Sequence, residues 1–398
     1  MHETPNDGIF SDRISDVPRS FIREILKDAL QPGTISFAGG LPNRNLFPLD
    51  AIKTATIKVL ESNGRDVLQY SNSEGLPELK QFIAERYQQR GLNIAPDSIL
   101  ITSGSQQGLD LIGKTLLNEG DQVLIEEPGY LGAIQAFAIY RARFLPVPVS
   151  EQGMDSDKLR SVLQNSKPKV AYTVPNFQNP SGITYPDDNR RELADVFANS
   201  KCLLIEDDPY GELRFSGEHK TSFYNLMPEK TLLLGSFSKI VAPGLRIGWI
   251  VAPDRIMQKL IIAKQAADLH TNQLSQCIVA EYLQDNNVDD HIKDIVKAYG
   301  RQKDAMVNSI NKHFPAAVTH TNPEGGMFLW GVLPNNLQAI KLFEHARREG
   351  VVFVPGDPFY VTNKHTNTLR LNYSCVDETT IDDGIRRLGD SIRTLQNN

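Results

Sequence analysis

Thr231-Leu232-Leu233-Leu234-Gly235-Ser236-Phe237-Ser238-Lys239 carries an apolar strand into small residues and delivers one lysine to the loop at its end. Pro243-Gly244 follows, then Arg246, then a second apolar run from Ile247 to Val251. A lysine amine fixed in such a loop suits Schiff-base chemistry once its surroundings lower its pKa. Ser236, Ser238 and Arg246 beside it suit a bound phosphate. Together they point to pyridoxal 5′-phosphate, held covalently by lysine and noncovalently through its phosphate.

Outward from this stretch, short apolar runs alternate with amphipathic helical segments. Strands are expected at Ser98 to Thr102, Gln122 to Glu126, Val170 to Val174, Cys202 to Glu206, Thr231 to Leu234 and Ile247 to Val251. Helices are expected between several of them, at Gln107 to Asn118 and Asp187 to Asn199. This alternation predicts an α/β fold whose large domain holds a mostly parallel, doubly covered sheet. Long helical patterns follow at Arg255 to Gln284 and Asp289 to His313. A smaller α+β portion then has strands at Gly326 to Val332, Val351 to Val354 and Thr368 to Tyr373. The expected division is an arm over 1–45 that joins the small domain, a large domain over 46–285 and a small domain over 286–398. The arm holds one short helix, Pro18 to Leu30, and is expected to pack with the C-terminal portion or over the site.

In open α/β sheets, ligands bind beyond the carboxyl ends of the strands. Four such loops here are unusual. Ser103-Gly104-Ser105-Gln106-Gln107 opens a helix, where backbone N–H groups and hydroxyls bind phosphate; a serine there is equally a plain N-cap. Pro175-Asn176-Phe177-Gln178-Asn179-Pro180-Ser181-Gly182 reads as a turn, or as a turn in which Asn179 donates to a ring oxygen. Glu206-Asp207-Asp208-Pro209-Tyr210 ends a strand in a carboxylate, suited to holding a pyridine nitrogen protonated or simply to capping a loop. The fourth carries Lys239. Tyr130, after Glu127-Pro128-Gly129, suits stacking on a flat ring or ordinary packing. Arg370, within Leu369-Arg370-Leu371-Asn372-Tyr373, needs a partner: a bound carboxylate or a neighbouring Asp or Glu.

Composition narrows the classes further. A net charge of -6 over 398 residues leaves no basic footprint for nucleic acid or an acidic membrane. Three cysteines, Cys202, Cys277 and Cys375, are too few and scattered for a disulfide framework or a zinc site, and are expected reduced and buried. The polar, acidic stretch Met1 to Asp12 shows no signal peptide, and no apolar run reaches membrane-spanning length without a charge. A soluble cytoplasmic protein is the expectation. One rival comes from another class: Gly108-Leu109-Asp110-Leu111-Ile112-Gly113-Lys114-Thr115 matches the phosphate loop of P-loop NTPases, and Cys202 to Asp207 imitates its magnesium-binding strand. That motif has meaning only as the loop between strand and helix. Here Leu109, Ile112 and Leu116 fall at helical spacing.

Read together, the segments resemble the fold type I pyridoxal-phosphate-dependent aminotransferases, and within them the α-aminoadipate and kynurenine/α-aminoadipate group. The resemblance rests on Ser36-Phe37-Ala38-Gly39-Gly40-Leu41-Pro42, Leu68-Gln69-Tyr70-Ser71, Thr102-Ser103-Gly104-Ser105-Gln106-Gln107, Gln178-Asn179-Pro180, Glu206-Asp207-Asp208-Pro209-Tyr210, Ser236-Phe237-Ser238-Lys239, Gly325-Gly326-Met327-Phe328-Leu329-Trp330 and Leu369-Arg370. It implies transamination between an α-amino acid (2-aminoadipate, aromatic or branched-chain) and 2-oxoglutarate. It also implies that Lys239 is the Schiff-base lysine, that Asp207 pairs with the pyridine nitrogen, and that Asn179 and Tyr210 contact the ring oxygen. Tyr130 would stack on the ring, and Ser105, Gln106, Ser236, Ser238 and Arg246 would hold the phosphate. Tyr70 would reach the phosphate of a partner subunit, making the protein a homodimer with shared sites. Arg370 would grip the substrate α-carboxylate with Asn179 and Gly40 close by, and Arg23, in Phe21-Ile22-Arg23-Glu24, would meet a distal carboxylate or else pair with a surface acid. The same scaffold also supports lyases and decarboxylases.

Overall fold

The computed structural model describes residues 9–15, 17, 25, 27–29, 31–362 and 366–397. Most of the helix expected over 18–30 lies outside them, and Arg23 with it. Strands in chain order are β1 Ile35–Ser36, β2 Ile99–Thr102, β3 Gln122–Glu127, β4 Arg143–Ser150, β5 Gly153–Met154, β6 Val170–Thr173 and β7 Leu203–Asp207. They continue with β8 Thr231–Ser236, β9 Gly248–Val251, β10 Thr319–His320, β11 Phe328–Val332, β12 Val351–Val352, β13 Val354–Pro355 and β14 Thr368–Asn372.

Eight strands form the large sheet in the order β2-β9-β8-β7-β6-β3-β4-β5. Strands β4, β3, β6, β7 and β8 run parallel to one another. Strands β2, β6, β8 and β9 are buried at every position, as a sheet covered on both faces demands, which is why they read as unbroken apolar runs. Strand β9 runs against both neighbours, with Ser236 and Thr102 each opposite Gly248. That reversal matters for the site: it brings the start of β9, just after Arg246, to the edge where β2 and β8 end.

The small sheet, β10-β11-β14-β13, is antiparallel throughout, with Arg370 in interior strand β14 opposite Trp330 and Val354. Arm strand β1 pairs in parallel with β12, and Asn372 N–H donates to Phe37 O at 2.8 Å. The arm is thereby stitched to the small sheet.

Three expectations are corrected. The helical pattern at 255–284 is two helices, Asp254–Asp268 and Gln273–Asp285, broken where Leu269 takes φ 63°. The strand expected at Val351 to Val354 splits, because β12 pairs with the arm while β13 pairs with β14. Cys277 and Cys375 are only half-buried, unlike Cys202; all three thiols are free. Strand β4 escaped notice because Pro146 and Pro148 read against a strand; they are tolerated because β5 pairs only with Val149 and Ser150, so among the described residues both prolines have a strand neighbour on the β3 side alone. Among the described residues no helix is long and apolar enough to cross a membrane.

Candidate active site

The carboxyl edge of the large sheet collects the singled-out side chains in two groups. The first is an anion cradle. The helix Ser105–Leu116 starts after Gly104, whose φ of 81° suits glycine. Arg246 sits in the left-handed region at φ 56° and lays its guanidinium against Gly104, donating to Ser103 O at 3.1 Å and Pro243 O at 3.3 Å. Among the described residues no carboxylate pairs with it. Ser236 Oγ donates to Ser238 Oγ at 2.8 Å and accepts from Ser238 N–H at 3.0 Å, so both hydroxyls stand at the end of β8. A helix N-terminus, three hydroxyls and an unpaired guanidinium form a site whose chemistry fits a phosphate dianion. Gln106 sends its amide to Gly132 O at 3.0 Å, so its side chain ties two helices together here.

The second group surrounds Lys239. Its Nζ donates to Gly40 O at 2.9 Å. Burial, reinforced by repulsion from Arg370 and Arg246, lowers the amine to about 8. Asp207, at the end of β7, is 2% exposed. Its Oδ2 accepts from the Tyr172 hydroxyl at 2.7 Å, while Oδ1 has no partner. Burial pushes this carboxyl up to about 7, with Asp208 and Glu126 adding and the Tyr172 bond opposing. An orphaned oxygen on a buried carboxylate costs free energy that a cationic N–H would recover. The donor set therefore fits pyridoxal phosphate at both ends, phosphate in the cradle and protonated ring nitrogen on Asp207.

Arg370 is fully enclosed. Its Nη1 donates to Asn179 Oδ1 at 2.9 Å and its Nη2 to Ala38 O at 2.6 Å, while Nε has no partner. Phe328 and Phe359 cover its guanidinium, with ring centroids at 4.4 Å and 5.2 Å. No acid of the described chain pairs with it, so the alternative of an internal salt bridge is set aside. Burial lowers it to about 10. A buried cation without a counter-ion is costly, and the partner it lacks is a carboxylate. Tyr210 is edge-on to Phe328 at 5.9 Å, and burial raises its hydroxyl pKa. Tyr130 is stacked at 6.3 Å and 25° on Tyr172, and burial carries it up to about 12. Tyr70 stands apart at 78% exposed, its ring edge-on to His270 at 6.0 Å.

Sequence reading missed the groups behind this surface. Glu126 is buried, accepting from Thr173 and Tyr185 hydroxyls at 2.6 Å each and from Gln178 Nε2 at 2.9 Å; it anchors the loop that presents Asn179. Arg190 does the same from the other side, donating to Pro175 O at 2.8 Å and Asn176 Oδ1 at 2.7 Å. Tyr172 had a readable signal, since a tyrosine in a buried aliphatic strand must find a partner for its hydroxyl. The phosphate-loop motif is corrected: Gly108 to Thr115 lie inside the helix Ser105–Leu116, and Lys114 pairs with Asp110 at 3.5 Å on its surface.

Fold and site together define a pyridoxal-phosphate-dependent transferase of fold type I. The description "Aminotransferase class I and II" fits residues 38–388, and the chain belongs to that family. It is similar to the 2-aminoadipate transaminase of Thermus thermophilus, 42% identical over 95% of each chain. It is also 40% identical to aromatic-amino-acid aminotransferase 1 of Thermococcus litoralis, over 96% of this chain and 94% of that one. Among solved structures, the α-aminoadipate aminotransferase of Thermus thermophilus complexed with N-(5′-phosphopyridoxyl)-L-leucine superposes with a TM-score of 0.91 at 40% identity, over 98% of each chain. The protein is an aminotransferase that works with pyridoxal phosphate.

Proposed function

We propose that this enzyme moves the amino group between 2-oxoglutarate and an α-amino acid of the 2-aminoadipate, aromatic or branched-chain kind. The observation that carries a carboxylate-bearing substrate is Arg370, a buried guanidinium without a counter-ion beside Asn179. Relatives named for 2-aminoadipate and for aromatic amino acids support the choice of donors.

The residue roles follow from position and chemistry. Ser105, Gln106 (through its backbone at the helix start), Ser236, Ser238 and Arg246 hold the cofactor phosphate. Asp207 holds the ring nitrogen protonated, Tyr130 packs on the ring, and Asn179 and Tyr210 hydrogen-bond its oxygen. When bound, pyridoxal phosphate supplies the carbonyl that takes up an amino group and the ring that draws electrons from Cα. Arg370 and Asn179 fix the α-carboxylate, which orients the Cα–H bond toward Lys239. Lys239 Nζ, whose burial lowers it to about 8 so that a fraction is neutral near physiological pH, would take the Cα proton and return it on the far side of the amino nitrogen, at the cofactor's former carbonyl carbon. Gly40 lies beside Nζ, and its small size suits an incoming substrate. Arg23 is assigned a distal carboxylate by the resemblance alone.

The same reading makes the protein a cytoplasmic homodimer, with an arm over 1–45, a cofactor domain over 46–285 and a small domain over 286–398. Leu68 and Leu269, exposed beside the exposed Tyr70 and the His270 it touches, with Leu49, Ile57 and Leu60 exposed along the preceding helix, support apolar surface of the kind a second copy covers. A panel of amino acids with 2-oxoglutarate, run on wild type and Arg23→Ala, tests the substrate reading. Turnover with 2-aminoadipate falling more than with leucine or phenylalanine supports it; no 2-oxoglutarate-dependent turnover with any of them overturns it.

A further inference from the structure

We propose that Tyr172 is a positioning residue for the cofactor: its hydroxyl engages Oδ2 of Asp207 and leaves Oδ1 as the oxygen without a partner, turned to the ring nitrogen. This rests on the reading of Asp207 given above. Tyr172 lies opposite Ile205 on the neighbouring strand, so its side chain shares a face with Asp207, two residues further along. The hydroxyl reaches Oδ2 at 2.7 Å, in surroundings where Tyr172 is 0% and Asp207 2% exposed. Water does not compete for this bond. Both oxygens of a carboxylate accept equally well in isolation, so something must decide which one meets the ring. The tyrosine decides it by taking one.

The groups facing this carboxylate are Tyr172, Tyr130 and Tyr210 together with the acids Asp208 and Glu126. Of these, Tyr172 alone hydrogen-bonds it and favours its ionised form; burial and the two acids favour the neutral acid. A neutral Asp207 is no counter-ion for a protonated ring. Tyr172 therefore acts on orientation and on charge at once. Its ring does separate work, stacked on Tyr130 at 6.3 Å and edge-on to Phe137 at 6.4 Å, and Tyr172→Phe leaves that packing in place.

The test compares Tyr172→Phe, Asp207→Asn and the double variant by titration of apoenzyme with pyridoxal phosphate, by the pH dependence of the visible cofactor band, and by kcat and KM. Tyr172→Phe is expected to weaken cofactor binding about tenfold, to lower kcat by about tenfold or more with KM for the amino acid unmoved, and to move the midpoint of the band by about one pH unit. Added to Asp207→Asn, it should change nothing further, because its effect runs through the carboxylate. Effects that add in the double variant would show that the Tyr172 hydroxyl acts independently of the carboxylate and would overturn the proposal. A wild-type spectrum and affinity in Tyr172→Phe, with Asp207→Asn impaired, would overturn it while sparing Asp207. An Asp207→Asn enzyme with unaltered spectrum and affinity would remove the reading of Asp207 itself, and the proposal with it.

Discussion

Nη1 of Arg370 donates to Oδ1 of Asn179 across 2.9 Å, joining strand β14 of the small sheet to the loop at the end of β6. The same guanidinium holds Ala38 O of the arm. Three segments remote in sequence thus meet on one cation. They meet where Lys239 Nζ also donates a hydrogen bond to an arm carbonyl, Gly40 O.

Removing that cation has two separable consequences. Arg370→Ala should lower kcat/KM for amino acids roughly ten- to a hundredfold, mainly through KM, because each charge-assisted hydrogen bond contributes about 1.5–3 kcal/mol. It should also let the Lys239 amine rise from about 8, since repulsion by Arg370 helps depress it. The free amine is the reactive form, so capture of pyridoxal phosphate by wild-type apoenzyme should accelerate as pH rises through about 8. In the variant that acceleration should occur at higher pH. An unchanged KM would count against the carboxylate grip.

Asp207 should leave a signature in the apoenzyme. Its carboxyl is raised from 3.8 to about 7, so its contribution to stability is full below the lower value and is lost as pH rises through the upper one. Asp207→Asn removes this dependence. Thermal unfolding of the two apoenzymes should show the variant gaining on wild type between about pH 4 and pH 7. Transaminase activity in the same variant should nevertheless collapse, a trade of function against stability typical of active sites. Parallel unfolding profiles would show that the carboxyl is not strained by burial.

Gly104 tests the phosphate cradle. A Cβ there would collide with the Arg246 guanidinium, and the φ of 81° is unfavourable for any side chain. Gly104→Ala should displace Arg246 and cost about 1–3 kcal/mol of backbone strain. Weaker retention of pyridoxal phosphate on dialysis, with retention of phosphate-free pyridoxal less affected, is the expected outcome. Equal losses for both compounds would place the damage elsewhere.

Lys114 is the contrasting lysine. It is half-exposed on a helix and, among the described residues, pairs with Asp110, an arrangement worth little. Lys114→Ala should leave transamination and cofactor binding unchanged and stability within about 0.5 kcal/mol. Magnesium-dependent ATP hydrolysis that disappears in this variant would revive the phosphate-loop reading.

Much of this was local and therefore legible. Strands β2, β3, β6, β7, β8 and β9 announce themselves as apolar runs because a sheet covered on both faces leaves no polar side. Their polar ends at Ser105, Asn179, Asp207 and Lys239 stand out for the same reason. Glu126, Arg190 and Tyr172 were harder, because each is defined by partners more than ten residues away, such as Asn176 and Asp207.

By itself, then, the chain determined which residues carry the chemistry and that they sit at strand ends, since periodicity and turn chemistry are properties of neighbours in sequence. Only the tertiary structure decided that β9 runs backward, bringing Arg246 to Ser105 and Ser236, and that Arg370 is buried against Asn179 and Ala38 with no acid to answer it. Those outcomes depend on pairing direction and on which charges are shut away from water together. Both are settled by long-range packing, where desolvation outweighs any local preference.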